Sequence, residues 1–315
     1  MAVYTRLPNA ATPKRKTEEH AMPDDYGQIS IGVVHPGSMG AAVAASIVST
    51  GRRVVWTGED RSEATHRRAE EAGLEDVHWL NAVVNQSDVI ISVCPPHAAL
   101  EVAQDVRNLG FQGIFVDANA ISPDTAREGK SIIESVGGEY VDGGIVGGPP
   151  KKPGTTRLYL SGDEAPRVAK LIEGGPLEVI VLDAPAGAAS ALKMAYAAWT
   201  KGTSALLADI LAMAQHEDIL EALQQEWAGS QPDLERKAAA LSGAAAKAWR
   251  WVGEMEEIAA TFEAAGLPGD FHRGAAEVYR RLEQFKDDPS APGGAELARF
   301  LLPSEGATTR SATAE

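Results

Sequence analysis

The sequence predicts a mostly parallel, doubly wound α/β sheet followed by an all-α C-terminal region, and three observations carry that expectation. Between Ile29 and about Asp183, short continuous apolar runs alternate with helical patterns. After "DAPAG" (183–187) strand signals stop, and Ala-, Leu- and Glu-rich stretches of helical spacing run to about residue 300. The first apolar run leads through "HPGSMG" (35–40) straight into an Ala-rich helix, as a nucleotide-binding turn does.

The runs follow one another as "ISIGVV" (29–34), "RVVWT" (53–57), "DVIISVC" (88–94), "GIFVDA" (113–118), "EYVDGGIV" (139–146), "TRLYLSG" (156–162) and "EVIVLD" (178–183). Strands that are apolar throughout are buried on both faces, so helices must cover both sides of the sheet. In the second half, breaks are expected at "GSQP" (229–232), "GLPGD" (266–270) and "DDPSAPGG" (287–294). The expected organisation is a tail over 1–27, a nucleotide-binding sheet domain over 28–186, a helical substrate and dimerisation domain over 187–302, and a second tail over 303–315. Both tails are rich in small, polar and charged residues without periodicity.

Composition narrows the function. The formal charge of −15 argues against a general nucleic-acid or anionic-membrane surface. Cys94 is the sole cysteine, and the seven histidines show no ligand spacing, so no metal site is expected. No apolar run approaches the roughly 18 residues of a membrane span, and Lys14, Arg15 and Lys16 have no apolar segment behind them. A cytoplasmic protein with a small-molecule substrate is the expectation.

The first turn departs from the dinucleotide fingerprint G-x-G-x-x-G. Gly37 and Gly40 keep its second and third glycines, which admit the pyrophosphate and let the helix pack on the strand. His35 stands where the first belongs, followed by Pro36. A residue before proline is pushed towards extended backbone, so His35 reads as the end of the strand rather than as a catalytic group. Pro36 removes a donor, but the N–H groups of Ser38, Met39 and Gly40 can still face an anion at the helix start. Nucleotide binding is expected to survive.

"PGSMGAAVAASIVSTGRRVVW" (36–56) resembles the "GLGxMG" opening of the β-hydroxyacid dehydrogenases, the superfamily of 3-hydroxyisobutyrate and 6-phosphogluconate dehydrogenases that also holds imine reductases. Further segments match in order: "VDANAISPDTARE" (116–128), "YVDGGIVGGP" (140–149), "GTTRLYLSGDEA" (154–165), "GAASALKMAY" (187–196) and "IAATFEAAGLP" (258–268). The resemblance covers roughly 30 to 285. It implies a Rossmann-type sheet domain and a 6-phosphogluconate dehydrogenase-like helical domain that pairs two subunits into a homodimer. It also implies a nicotinamide cofactor, with Cys94, Pro95, Pro96 and Asn119 lining its site beside Pro36–Gly40.

Which nicotinamide cofactor depends on the end of the second strand. The acid that bonds the ribose hydroxyl of NAD is expected near Gly58, which has no side chain. Arg61 and Ser62 are placed to clasp the 2′-phosphate of NADP, with Arg67 and Arg68 beyond them; Glu59 and Asp60 point the other way. NADP is the expected cofactor and NAD the alternative.

By the same resemblance Lys193 matches the lysine that exchanges a proton with substrate while hydride moves. An ammonium suits that work because it stabilises a developing alkoxide. Tyr196 and Thr200, at i+3 and i+7, are expected on its face, Tyr196 as a second candidate catalytic group. Gly144, Val146 and Gly147 occupy the substrate loop, with Val146 in place of the family's serine; Ala197 replaces an asparagine, and Gly253–Glu254 replaces a Lys–Asp pair. Glu254, with Arg250, Trp251 and Glu257, is expected at a substrate cleft shared with a partner subunit. Trp249, Arg250 and Trp251 read as interface side chains.

Three readings compete. The first is an NADP-dependent oxidoreductase acting on a CH–OH or C=O group. The second is an imine reductase, against which Lys193 weighs. The third is a non-catalytic NADP-binding sensor or scaffold, kept open by the changes at Val146, Ala197 and Gly253.

Overall fold

The computed structural model describes residues 29–303, so the tails expected over 1–27 and from 303 lie outside the described residues, Pro303 excepted. Its strands are β1 (Ile31–Val33), β2 (Val54–Trp56), β3 (Glu75–Asp76), β4 (Val89–Ser92), β5 (Ile114–Asp117), β6 (Glu139–Gly147), β7 (Thr156–Ser161) and β8 (Glu178–Val181). They form one sheet in the order β3-β2-β1-β4-β5-β6-β7-β8, parallel throughout except where β6 meets β7. Seven strands fall on the expected apolar runs. The eighth, β3, is two charged residues at the sheet edge, too short and too polar to leave a pattern.

Alternation along the strands builds two cores. Ile31, Val33, Val54, Trp56, Val89, Ile91, Ile114 and Val116 face one side and pack with Val43 and Ile47 of α1 (Ser38–Val48). Val55, Ile90 and Phe115 face the other. There they meet α3 (Leu80–Gln86) and α4 (Ala99–Asn108) through Val83, Val84, Val102 and Val106. The remaining helices of this half are α2 (Glu63–Glu71), α5 (Pro123–Glu134) and α6 (Ala165–Ile172). The chain runs from β1 outward to β3, then returns to β4 on the other side of β1. That reversal opens a crevice at the carboxyl ends of β1 and β4, where ligands of such sheets bind.

The helical half begins at Gly187, whose φ of 102° is the left-handed region that a side chain avoids. α7 (Ala188–His216) then runs 29 residues, about 43 Å at 1.5 Å per residue. Around it lie α8 (Leu220–Ser230), α9 (Leu234–Ala239), α10 (Leu241–Ala245), α11 (Ala248–Ala264), α12 (Asp270–Arg281) and α13 (Gly294–Ala298). The three expected breaks are present. Further breaks at Glu217–Ile219, Ala240 and Ala246–Lys247 carry neither Gly nor Pro and so leave no signal in the sequence; at the first, Asp218 makes the turn at a φ of 54°. The core is Met194, Leu207, Leu211, Leu241, Met255, Ile258, Tyr279 and Leu297 among many alanines, which let the helices approach closely. No helix among the described residues is long and apolar enough to cross a membrane.

One residue pins the two halves together. Asp142 of β6 is fully buried and accepts from Ser161 Oγ (2.9 Å), the N–H of Gly187 (2.8 Å), and both the N–H (3.0 Å) and the hydroxyl (2.5 Å) of Ser190. A carboxylate at the start of α7 meets unbonded N–H groups and the positive end of the helix dipole. Glu257 of α11 makes the reverse contact, accepting from the N–H of Ser122 (2.6 Å) and Thr125 Oγ1 (3.0 Å) at the start of α5.

Candidate active site

Most residues expected to bind the cofactor gather at the carboxyl edge of the sheet. Gly37 is the N-cap of α1 with no side-chain cap, so the first N–H groups of the helix keep their donors. A Cβ added at Gly37 would meet open space, whereas one at Gly40 would collide with the His35 carbonyl oxygen. Gly37 thus leaves room above the turn, and Gly40 lets the helix seat on it. Pro36 is buried, Met39 half-buried and Ser38 exposed.

At the end of β2, Gly58 is packed against Asp76 of β3, and a Cβ there would strike that carboxylate. Asp76 Oδ1 accepts from the N–H groups of Gly58 (3.0 Å) and His78 (2.8 Å). An acid at position 58 would have to displace the Asp76 and His66 side chains. Arg61 is half-buried, and its Nε is buried without a partner. Ser62 is exposed and is the N-cap of α2, its hydroxyl accepting from the Thr65 N–H at 3.3 Å. Glu59 and Asp60 are exposed.

The loop after β4 carries Cys94, Pro95 and Pro96. Burial pushes the Cys94 thiol up to about 12, so it is a small, inert side chain at neutral pH. Asn119 braces this loop. Its carbonyl oxygen accepts from the Cys94 N–H (2.5 Å), and its amide donates to Ser92 Oγ (3.1 Å) and Asp117 Oδ1 (2.7 Å). With 2 % exposure and both amide protons used, its side chain is a brace and not the expected contact for cofactor and substrate. Beneath it, burial pushes the Asp117 carboxyl up to about 7.

Lys193 is the sixth residue of α7, lying against Gly144 of β6. A Cβ at Gly144 would sit 2.5 Å from the Ala189 carbonyl oxygen and 3.0 Å from Lys193 Cβ, so only glycine admits the helix here. Asp117 of β5 pairs with Asp142 of β6, and Asn119 and Gly144 each lie two residues further on. Lys193 is thus level with the carboxyl edge that carries the nucleotide turn. Val146 is buried at 2 % exposure and Gly147 is exposed.

The lysine does not stand alone. Its ammonium lies 3.3 Å from Glu254 Oε1, while Lys201 closes an ion pair on Oε2. All three side chains are largely buried, at 15 %, 9 % and 12 % exposure for Lys193, Glu254 and Lys201. Burial works to raise the Glu254 carboxyl, but the Lys201 and Lys193 ammonium groups outweigh it and hold it below the ordinary range. Burial pulls Lys201 down to about 8 against the attraction of Glu254. The Lys201 ammonium also sits 5.1 Å from the Trp251 ring centroid.

This cluster corrects the expected face of Lys193. The ammonium turns towards the i+4, i+8 side, Ala197 and Lys201, where α11 packs. Tyr196 is 46 % exposed, and Thr200 spends its hydroxyl on the Tyr196 carbonyl at 3.2 Å. Lys201 was missed by the sequence reading; its signal was a second lysine two turns on in an apolar stripe. The residues expected at a partner's cleft are also engaged within the chain. Glu254 pairs with the lysines, Glu257 caps α5, Arg250 pairs with Asp287 (3.1 Å), and Trp251 meets Tyr279 edge-on. Trp249 lies between Arg250 and Lys286, and so is not an open interface side chain.

Known proteins resemble this chain in both halves. Residues 30–173 match the NAD binding domain of 6-phosphogluconate dehydrogenase, and residues 214–282 match a domain of unknown function, DUF1932. A conserved protein of unknown function, described as structurally similar to 3-hydroxyacid dehydrogenases, superposes with a TM-score of 0.61 at 28% identity, covering 86% of this chain and 99% of its own. These likenesses support the β-hydroxyacid dehydrogenase superfamily. Mitochondrial 3-hydroxyisobutyrate dehydrogenase of Drosophila melanogaster is 25% identical over 165 residues, 51% of this chain and 50% of its own. An uncharacterized 28.5 kDa protein of Methanothermus fervidus is 32% identical over 171 residues, 52% of this chain and 64% of its own. The chain thus spans 64% and 50% of the length of these two relatives, less than two thirds of either.

Proposed function

We propose that the chain is an NADP-dependent oxidoreductase moving hydride between NADP(H) and a small carbonyl or hydroxy compound, with Lys193 as the acid–base group. The observation that carries this reading is Lys193 itself: a partly buried ammonium level with the nucleotide edge, paired with Glu254 but without hydrogen-bond alignment at Oε1. A lysine held in this way remains free to turn towards a substrate oxygen. The bound cofactor supplies or accepts the hydride. Lys193 gives a proton to the oxygen as a carbonyl is reduced and takes it back as an alcohol is oxidised. Glu254, itself fixed by its ion pair with Lys201, holds that ammonium in place, Gly144 and Gly147 leave room beside it, and Val146 offers an apolar wall. Substrate-dependent oxidation of NADPH on a panel of aldehydes, keto acids and cyclic imines tests the reading. Turnover of imines alone would transfer the reaction to the imine class, and NADPH binding without any turnover would favour a sensor.

NADP is preferred in this proposal because position 58 carries a glycine packed against Asp76 and offers no acid, and because Arg61 offers a buried Nε without a partner. Arg61→Ala is expected to weaken NADPH binding by about tenfold or more and NADH binding by less than about twofold, read by fluorescence titration. Equal losses would remove Arg61 from phosphate recognition.

The homodimer is part of the same proposal. Tyr196, Trp199, Leu206 and Met213 form an exposed apolar stripe along α7, with Trp199 72 % exposed. Their spacing of three, seven and seven residues keeps them on one face, the pattern of a helix that pairs with another. Light scattering is expected to return twice the chain mass, and Trp199→Glu to return one chain mass without loss of helicity. A wild-type monomer at micromolar concentration would defeat the dimer.

A further inference from the structure

The residue that breaks the fingerprint, His35, has so far been only the end of a strand. Its backbone is committed: the carbonyl oxygen accepts from the Gly37 N–H at 2.8 Å and lies directly beneath Gly40. Its side chain is not. Nδ1 is buried and has no partner, and a buried polar atom left unpaired costs the fold unless something else meets it.

The same is true of Arg61 Nε in the neighbouring loop. Val33 pairs with Trp56, so the chain segments that follow, carrying His35 and Arg61, leave adjacent strands at the same edge. His35 Nδ1 and Arg61 Nε are both buried, so both side chains turn in at this edge rather than out into solvent. Arg68 reaches the same turn, its Nε 3.5 Å from the Pro36 carbonyl oxygen. Two orphaned nitrogens and a second guanidinium therefore lie at the edge that carries the turn, and the Asp76 carboxylate is spent on the backbone of Gly58 and His78 while Glu59 and Asp60 are exposed.

We propose that His35 is a specificity-determining residue that joins Arg61 in holding the 2′-phosphate of NADP. The inference rests on the NADP reading above and adds to it a residue that the fingerprint leaves as glycine. Burial, then the Arg61 charge, pulls the His35 imidazole down to about 4, so it is neutral beside the guanidinium at pH 7. A phosphate between them accepts from the guanidinium and from the imidazole N–H, and its negative charge offsets the repulsion that keeps the ring neutral. NADH carries a hydroxyl at that position and gains little from either group.

The test is fluorescence titration of NADPH and NADH on wild type, His35→Ala and His35→Asn, with 2′,5′-ADP and AMP as competitors. His35→Ala is expected to weaken NADPH and 2′,5′-ADP by about tenfold and NADH and AMP by less than about twofold. His35→Asn, which keeps a donor on a short side chain, is expected to recover part of the loss. In the double variant with Arg61→Ala, the two losses should fall short of their sum, as for groups that share one ligand. A wild-type preference for NADPH that His35→Ala leaves intact would overturn this inference alone, as would equal losses for both cofactors. Wild-type protein that binds NADPH and NADH equally would overturn the NADP reading and this inference with it.

Discussion

Lys193→Met is expected to lower kcat by about 10²–10⁴-fold while changing NADPH affinity by less than about twofold. Methionine keeps the bulk of the stem and the helix propensity of α7, so the substitution removes the charge and the exchangeable protons and little else. Position 193 lies against Gly144 and makes none of the contacts at the first turn of α1, which is why binding and turnover should separate. The loss should appear in both directions with the best substrate found, because one group serves both proton transfers. Tyr196→Phe is the companion. Since Tyr196 is largely exposed on the other side of the helix from Lys201, its loss should be smaller. A Lys193→Met protein with wild-type kcat would sink the acid–base role, and a comparable loss in Tyr196→Phe would make the tyrosine a rival.

The second large effect is on stability. Asp142→Ala is expected to cost about 3–5 kcal/mol, because it strands four donors in a dry junction at once. Two of them are N–H groups at the start of α7, which lose their cap together with the carboxylate that offsets the helix dipole. Chemical denaturation should show the lowered midpoint, and Asp142→Asn, which keeps the shape and one acceptor, should fall between the two. A cost below about 1 kcal/mol would mean that water replaces the carboxylate, and that α7 is held by packing alone.

Both predictions turn on residues whose roles were unevenly visible beforehand. Lys193 and the turn from Pro36 to Gly40 were legible, because each is a local pattern: a lysine just inside a helix start, and glycines at fixed steps after a buried strand. Asp142 was visible only as part of a substrate-loop motif. Its use as an anchor depends on Ser161, Gly187 and Ser190, which arrive from 19 to 48 positions away. Lys201 and Glu254 are separated by two helix ends and a run of short helices, and no spacing rule joins them. Asn119 was placed at the right edge of the sheet but given the wrong partners, because its contacts to Ser92 and Cys94 cross between strands.

What the sequence by itself determined is therefore what repeats within a few residues. Apolar runs set the strands, 3.6-residue spacing set the helices, and the glycines at 37 and 40 set the first turn, since each depends on backbone geometry and local burial. The tertiary structure decided which polar groups meet. It turned Lys193 towards Lys201 and Glu254 rather than Tyr196, filled the space at Gly58 with Asp76, and left His35 and Arg61 facing one crevice. Charges and hydrogen bonds act across a few ångströms of space whatever the distance along the chain, so their partners become readable only once the sheet has brought the ends of its strands together.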